Sequence, residues 1–342
     1  MSEERIVSPG PLDEDRQYDL TLRPANLDDF IGQTKLKEVL AIAVQAARER
    51  NEPLDHVLLY GPPGLGKTTL AAIIARELDV KIDYTSGPVL QKKLDLTGAL
   101  TAIEPRQVFF IDEIHRLLPD VEEMLYTALE DYRVDVMIGA GPGARTHSIQ
   151  IPGFTAIGAT TRAGLISAPL RGRFGLTLRL NPYEPEELRG IVRRSAGLLG
   201  VPIEDEGAAE IARRSRGTPR IANRLLRRVR DYSQVRSDGR ITRDIARDAL
   251  DLHEVDPHGL DEIDRKVMST ILAKYGGGPV GLNTIAASVG EDASTIEEVY
   301  EPYLMQLGFL DRTPRGRVGT LLAFEYFKLE PPRSGGQFSL SY

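Results

Sequence analysis

Residues 57–69 read Val57-Leu58-Leu59-Tyr60-Gly61-Pro62-Pro63-Gly64-Leu65-Gly66-Lys67-Thr68-Thr69. The first four form a short apolar run ended by glycine, the pattern of a buried strand. Gly61 to Thr68 matches G-x-x-x-x-G-K-[ST] at every fixed position. A helical pattern follows from Thr69 to Leu78, with Leu70, Ile73, Ile74 and Leu78 on one face. Strand, glycine loop and helix in that order is the context in which such a loop holds phosphate. Gly61, Gly64 and Gly66 let consecutive N–H groups turn towards an anion, and the helix directs its positive end at the same place. In this arrangement Lys67 bridges the β- and γ-phosphates and the Thr68 hydroxyl ligates Mg²⁺.

Further apolar strands are expected at Val108–Ile111 and Phe154–Ala159. Strands alternating with helices predict an α/β domain with a parallel sheet covered on both faces. Asp112-Glu113 follows the second strand, and the C-terminal ends of parallel strands are where ligands bind. Asp112 is expected to hold Mg²⁺ and Glu113 to orient the attacking water. His115 beside them reads either as a coupling residue or as a packed structural histidine. The third strand ends in Thr160-Thr161, and a small polar side chain there would sense the γ-phosphate; spacing does not choose between the two. Arg171 and Arg173 bracket Gly172 after a proline-containing turn, and an arginine fork suits a phosphate. Surface ion pairs are the alternative.

The rest of the chain divides by composition. Residues 1–18 form a polar tail, 19–181 a large domain, 182–255 a small helical domain, 256–330 a third domain, and 331–342 a second tail. A hairpin at 133–151, with strands Arg133–Ile138 and Thr146–Ile151, is inserted before the third strand. Val136, Met137 and Ile138 near its turn either pack on the parent domain or offer an apolar tip to a partner. In the helical domain Arg220 falls in the first turn of a helix opened by Pro219. The dipole disfavours a cation there, which points to a nucleotide contact. Arg224, Arg227, Arg228 and Arg230 read as a solvated or ion-paired face, or as a DNA site.

The third domain carries helical patterns around Ile263–Ile271 and Ile285–Val289. A third begins at a Ser294–Glu297 capping box and is kinked at Pro302. A basic turn, Arg312-Thr313-Pro314-Arg315-Gly316-Arg317, follows. Three helices and a basic hairpin make a winged-helix pattern, whether for DNA or for protein contacts. The third helix presents Glu297, Glu298 and Glu301 rather than base-reading Arg, Asn or Gln. Arg312, Arg315 and Arg317 are expected to touch phosphate without reading sequence.

The chain has 342 residues, no cysteine and a net charge of −7. Disulfides and thiolate chemistry are excluded. The acidic balance argues against non-specific nucleic-acid binding over the whole surface, but not against local basic patches. No apolar run reaches the ~18–20 residues of a membrane span, and a soluble cytoplasmic protein is expected.

Taken together, the loop, Asp112-Glu113, Thr160-Thr161, the arginine pair and Arg220 resemble the AAA+ ATPases. More narrowly they resemble the RuvB family of Holliday-junction branch-migration motors. That narrower likeness is carried by Leu22-Arg23-Pro24, Phe30-Ile31-Gly32-Gln33, Ile111 to Leu117, Gly158 to Gly164, Arg216 to Asn223 and Thr313 to Arg317. The resemblance implies an ATP- and Mg²⁺-dependent DNA translocase of recombination and repair, a homohexameric ring around duplex DNA. It implies that Leu22 and Arg23 cradle the base, that Tyr183 and Arg220 close over it, and that Thr69 lines the site. Glu130, Asp131 and Tyr132 would lie near the nucleotide, and Arg173 would be the finger given to the next subunit. The hairpin 133–151 would dock on a RuvA-like junction-binding protein, with a RuvC-like resolvase in a larger complex. The family usually has aspartate where this chain has Gly172, which would loosen the finger. A nucleotide-switched DNA-binding initiator or regulator is the alternative class.

Overall fold

The structure is a computed structural model and describes residues 7, 21–138 and 145–331. The described chain forms two compact units that divide between Glu187 and Leu188.

The first unit is built on five parallel strands: β1 (Val57–Tyr60), β2 (Ile82–Ser86), β3 (Val108–Asp112), β6 (Thr155–Thr160) and β7 (Leu176–Arg179), in the order β2-β3-β6-β1-β7. The antiparallel pair β4 (Arg133–Ile138) and β5 (Arg145–Gln150) forms the expected hairpin. β5 starts one residue earlier than its sequence suggests. The turn at Gly139–Gly143 lies outside the described residues. Val134 is buried, and Val136 is a half-buried residue packed against the core cluster that includes Leu125, Ile151 and Phe154. The base of the hairpin therefore belongs to its parent domain.

β1, β3 and β6 are the central strands, and their residues are almost all buried. β2 and β7 occupy the edges, and neither was expected. Their patterns mix half-buried and exposed positions, because an edge strand packs less of itself. The first long helix is Thr34–Arg50. Gln33 stands at φ 53°, which stops the helix from extending backwards. Leu36, Leu40, Val44 and Ala47 form its buried stripe, whereas Val39 is exposed.

His56 ties the sheet to the helix Pro119–Asp131 that leads into the hairpin. Its Nδ1 accepts from the Ala156 amide at 3.0 Å, so Nε2 donates to Leu129 O, also at 3.0 Å. Burial holds its pKa below the ordinary value, against smaller opposing effects of the Leu129 bond and of Asp55. A cationic ring would lose the Nδ1 acceptor. The folded state therefore binds this proton less readily than the unfolded chain, and stability falls as pH drops below about 6.5. Thermal unfolding followed from pH 7.5 to 5.5 is expected to show a falling Tm, with a shallower fall in His56→Gln.

The second unit contains four helices, Pro185–Leu198 (beginning in the first unit), Asp205–Arg213, Pro219–Arg236 and Arg243–Leu252, followed by a winged helix. Arg224 and Arg227 are buried in it, so they are not the solvated face read from their spacing. Arg228 and Arg230 lie against Asp231. The winged helix has its own core, including Val267, Ile271, Ile285, Ile296, Leu304 and Phe324. Its wing is β8 (Leu310–Thr313) paired with β9 (Gly316–Gly319).

Its third helix departs from the sequence reading. Ala293–Thr295 begins it with Asp292 as N-cap, and Ile296 N donates to Asp292 O at 3.1 Å. Ser294 is already inside the first turn, so the Ser294–Glu297 capping box does not form. A π-turn at Ile296–Tyr300 then leads into Glu301–Gln306. Pro302 has no N–H to give to the preceding turn, and the chain widens there instead of breaking. Glu301 is consequently buried, not on the exposed face.

No helix among the described residues is long and apolar enough to cross a membrane.

Candidate active site

The phosphate loop has the conformation its glycines require. Gly61, Gly64 and Gly66 stand at φ 147°, 80° and 101°. A Cβ on Gly61 would lie 2.3 Å from the Leu180 carbonyl oxygen, so no other residue fits. Helix Lys67–Glu77 begins at Gly66 with no side-chain cap. Its first N–H groups thus face the loop. Lys67 is buried, and its ammonium donates to Gly61 O at 2.8 Å and Pro62 O at 2.9 Å. Its charge is held at the loop by the loop's own carbonyls. Thr68 and Thr69 are half-buried in the first turn of the helix.

Sheet order brings the other groups to the same edge. β6 lies between β3 and β1, with Ile111 opposite Gly158 and Tyr60 opposite Thr160. Asp112 and Thr160 therefore end neighbouring strands beside Gly61, whose N–H donates to Thr160 O at 3.2 Å. Asp112 Oδ1 accepts from Glu113 N at 2.9 Å. Glu113 stands at φ 49°, and its Oε2 lies 3.2 Å from Arg116 Nη1 in a half-exposed pair. The Arg116 partner was legible only as a cation three residues after Glu113.

The structure separates the two threonines. Thr160 is buried, and its Oγ1 accepts from Arg162 N at 2.9 Å and meets His115 Nδ1 at 2.9 Å. Thr161 is exposed. Burial lowers the His115 pKa, partly offset by Glu113 and reinforced by Arg162. A neutral ring and the Thr160 hydroxyl share one hydrogen bond, whose direction follows the ring's tautomer. His115 thus bonds to the strand end itself. Thr160→Val should lower ATP turnover at least tenfold, about 1.4 kcal/mol of barrier, while Thr161→Val should change it less than twofold. Steady-state ATPase rates of the two variants check this.

The segment before the first long helix packs on the loop. Leu22 and Phe30 are buried, and a Cβ on Gly66 would meet the Phe30 ring at 3.3 Å. Arg23 is half-buried and lies near enough to Tyr84 to act on its phenol. Tyr183 is buried and donates its hydroxyl to Leu65 O at 3.2 Å. Burial raises its pKa, so the phenol stays protonated. Gln33 anchors the adjoining chain by donating to Asn181 O at 2.7 Å. The sequence reading used Phe30 and Gln33 only as marks of the family resemblance and gave neither a role at the site. Arg220 belongs to the second unit, where it is the second residue of helix Pro219–Arg236.

Arg173 is not at this edge. It precedes β7, whose Leu176 lies opposite Val57 at the start of β1. The phosphate loop follows the other end of β1. Arg173 Nη2 donates to Glu130 Oε2 at 2.8 Å, Nη1 donates to Pro169 O at 2.7 Å, and Cζ sits 4.6 Å over the Tyr126 ring. Glu130, Asp131 and Tyr132 share this far edge. Leu129 bonds to His56 just before β1, and Tyr132 stacks edge-on against Phe154 at 5.9 Å. Within one chain these residues are across the sheet from the phosphate loop, not beside it. Gly172 has an ordinary φ of −64°, and a Cβ there would have its nearest neighbour at 3.5 Å. The Arg173 guanidinium is oriented by Glu130, Pro169 and Tyr126 rather than by residue 172.

The wing arginines are also already engaged. Both Arg312 and Arg317 pair with Glu301. Arg315, at the turn, is exposed.

A glycine loop with buried lysine, an Asp-Glu strand end and a buried threonine at the next strand end, all on one parallel sheet, define an AAA+ P-loop ATPase. The sequence matches family models described as the Holliday junction DNA helicase RuvB P-loop domain over residues 22–180, the RuvB AAA lid domain over 183–256 and the RuvB C-terminal winged helix domain over 257–328. The chain belongs to the RuvB family. It is 70% identical over 330 residues to the Holliday junction branch migration complex subunit RuvB of Solibacter usitatus, covering 96% of both chains. The subunit of the same name from Koribacter versatilis is 62% identical over 330 residues, covering 96% of this chain and 92% of that one. The solved Thermotoga maritima RuvB Holliday junction branch migration motor superposes with a TM-score of 0.82 at 54% identity, covering 91% of this chain and 100% of that one.

Proposed function

We propose that this protein is an ATP-driven motor that pulls duplex DNA through a homohexameric ring to move Holliday junctions during recombination and repair. The single observation that carries the reading is the split of the site across the sheet. Lys67, Thr68, Asp112, Glu113 and Thr160 gather at one edge, and Arg173 with Glu130 at the other. A finger on the far edge of its own sheet is suited to a neighbour's nucleotide, so hydrolysis requires assembly. The names of the relatives supply the junction as the substrate.

In this reading residues 19–181 bind nucleotide, 182–255 form the lid and 256–330 the DNA-binding head. Leu22, Arg23, Tyr183 and Arg220 hold the base side, and Asp131 and Tyr132 accompany Arg173 at the subunit junction. Thr68 and Asp112 suit Mg²⁺ as a hydroxyl and a carboxylate beside the loop, an oxygen-donor set that this ion prefers. Bound there, Mg²⁺ would neutralise phosphate charge. Arg312, Arg315 and Arg317 supply the head's phosphate-facing charge. The hairpin 133–151 takes a RuvA-like junction-binding protein, and a RuvC-like resolvase joins the larger complex.

The test is ATP-dependent strand displacement on a synthetic four-way junction, with and without the junction-binding partner. Displacement that needs both ATP and the partner is expected. Absence of displacement together with absence of DNA-stimulated ATPase would overturn the motor.

A further inference from the structure

One buried carboxylate carries both strands of the wing. Arg317 Nε donates to Glu301 Oε1 at 2.5 Å and Nη2 to Oε2 at 3.1 Å, while Arg312 Nη2 donates to Oε2 at 2.5 Å. Glu297 Oε1 adds contacts of 3.2 Å to Arg312 Nη1 and 3.7 Å to Arg317 Nη2. The Glu301 side chain is 1% exposed, Arg317 14% and Arg312 44%. A carboxylate this deep is tolerated because two guanidiniums satisfy it, and removing one partner is costly. A two-stranded hairpin is marginal on its own, so these bonds, with the Val280–Arg317 bridge, fix the wing on the helix that precedes it.

The formal charges of Arg312 and Arg317 are matched by those of Glu297 and Glu301. Arg315 is different: it is exposed at the turn and has no side-chain partner among the described residues. We propose that Glu301 is the positioning residue of the wing. Arg317, a strut between β9 and the helix, and Arg312 each share a guanidinium between Glu301 and a phosphate, and Arg315 makes the leading phosphate contact. This rests on the reading that the winged helix holds duplex DNA.

Binding of the full-length chain to mixed-sequence duplex DNA, measured by fluorescence anisotropy over a series of salt concentrations, tests it. Glu301→Gln makes the head one charge more positive. If Glu301 merely damped the arginines, binding would tighten. With Glu301 as the positioning residue, affinity falls, by about tenfold. Arg317→Lys keeps the charge but not the two-pronged contact, and covers the case in which Glu301→Gln does not fold. It is expected to lose a similar factor with an unchanged salt slope. Arg315→Ala should flatten the slope of log K against log salt by about 0.9. Tighter or unchanged binding in Glu301→Gln, wild-type affinity in Arg317→Lys, or an unchanged slope in Arg315→Ala overturns the assignment. A wild-type chain that does not bind duplex DNA defeats the underlying DNA-binding reading instead.

Discussion

Arg173→Ala is expected to bind ATP normally and to lose turnover by about 10³-fold or more, the scale on which an arginine finger acts. The expectation follows from where the side chain sits. It is anchored before β7, at the edge of the sheet opposite the phosphate loop of its own chain. Its guanidinium is presented by Glu130, Pro169 and Tyr126, and the side chain stays 27% exposed. Both terminal nitrogens are thus bonded, one of them to an exposed carboxylate, while Nε is buried without a hydrogen-bond partner among the described residues. An exposed pair such as Arg173–Glu130 contributes about 0–1 kcal/mol, so exchanging Glu130 for a phosphate costs little. Mixed rings give the sharpest check. Arg173→Ala subunits mixed with Glu113→Gln subunits contain interfaces with an intact Glu113 on one side and an intact Arg173 on the other. Partial recovery of ATPase is expected. Mixtures as inactive as their parents, or specific activity that is constant on dilution to monomer, would mean that the finger does not act between subunits.

Glu113→Gln is the second large effect. A base that orients and polarises water contributes about 10²–10⁴-fold, so turnover should fall at least a hundredfold while ATP affinity stays within a few-fold. Glu113 is suited to this. It leaves the strand end at φ 49°, with its amide fixed on Asp112 Oδ1 and its carboxylate restrained only by the half-exposed Arg116. That pair is screened by solvent, and its release is cheap. Lys67→Ala should behave in the opposite way and lose binding itself, since the buried ammonium is the charge the loop is built around. Equilibrium nucleotide titration set against single-turnover hydrolysis separates the two. Near-normal hydrolysis in Glu113→Gln would leave another group as the base.

The central sheet was legible because β1, β3 and β6 are continuous apolar runs buried on both faces. β2 and β7 were not, because Ile82-Asp83-Tyr84-Thr85-Ser86 and Leu176-Thr177-Leu178-Arg179 are edge strands that mix exposed and half-buried positions, so no continuous apolar run marks them. Glu301 shows a different limit. Read by helical spacing it joins Glu297 and Glu298 on an exposed face, but the π-turn and two distant arginines draw it inside. No local rule contains that contact.

The loop Gly61–Thr68 determined the nucleotide chemistry by itself. Its glycines, lysine and threonine act within eight consecutive residues, and steric freedom and charge at that range are properties of the local chain. The acidic strand end and the threonine pair were likewise readable as residue types. Only the tertiary structure decided which threonine is held, because the choice depends on His115, forty-five residues away in sequence. Only strand order and register put Arg173 across the sheet from Lys67, and parallel pairing between distant segments fixes which edge each loop reaches. The same holds for the wing, whose arginines are written plainly in the sequence but whose positions are set by a carboxylate that folding buries.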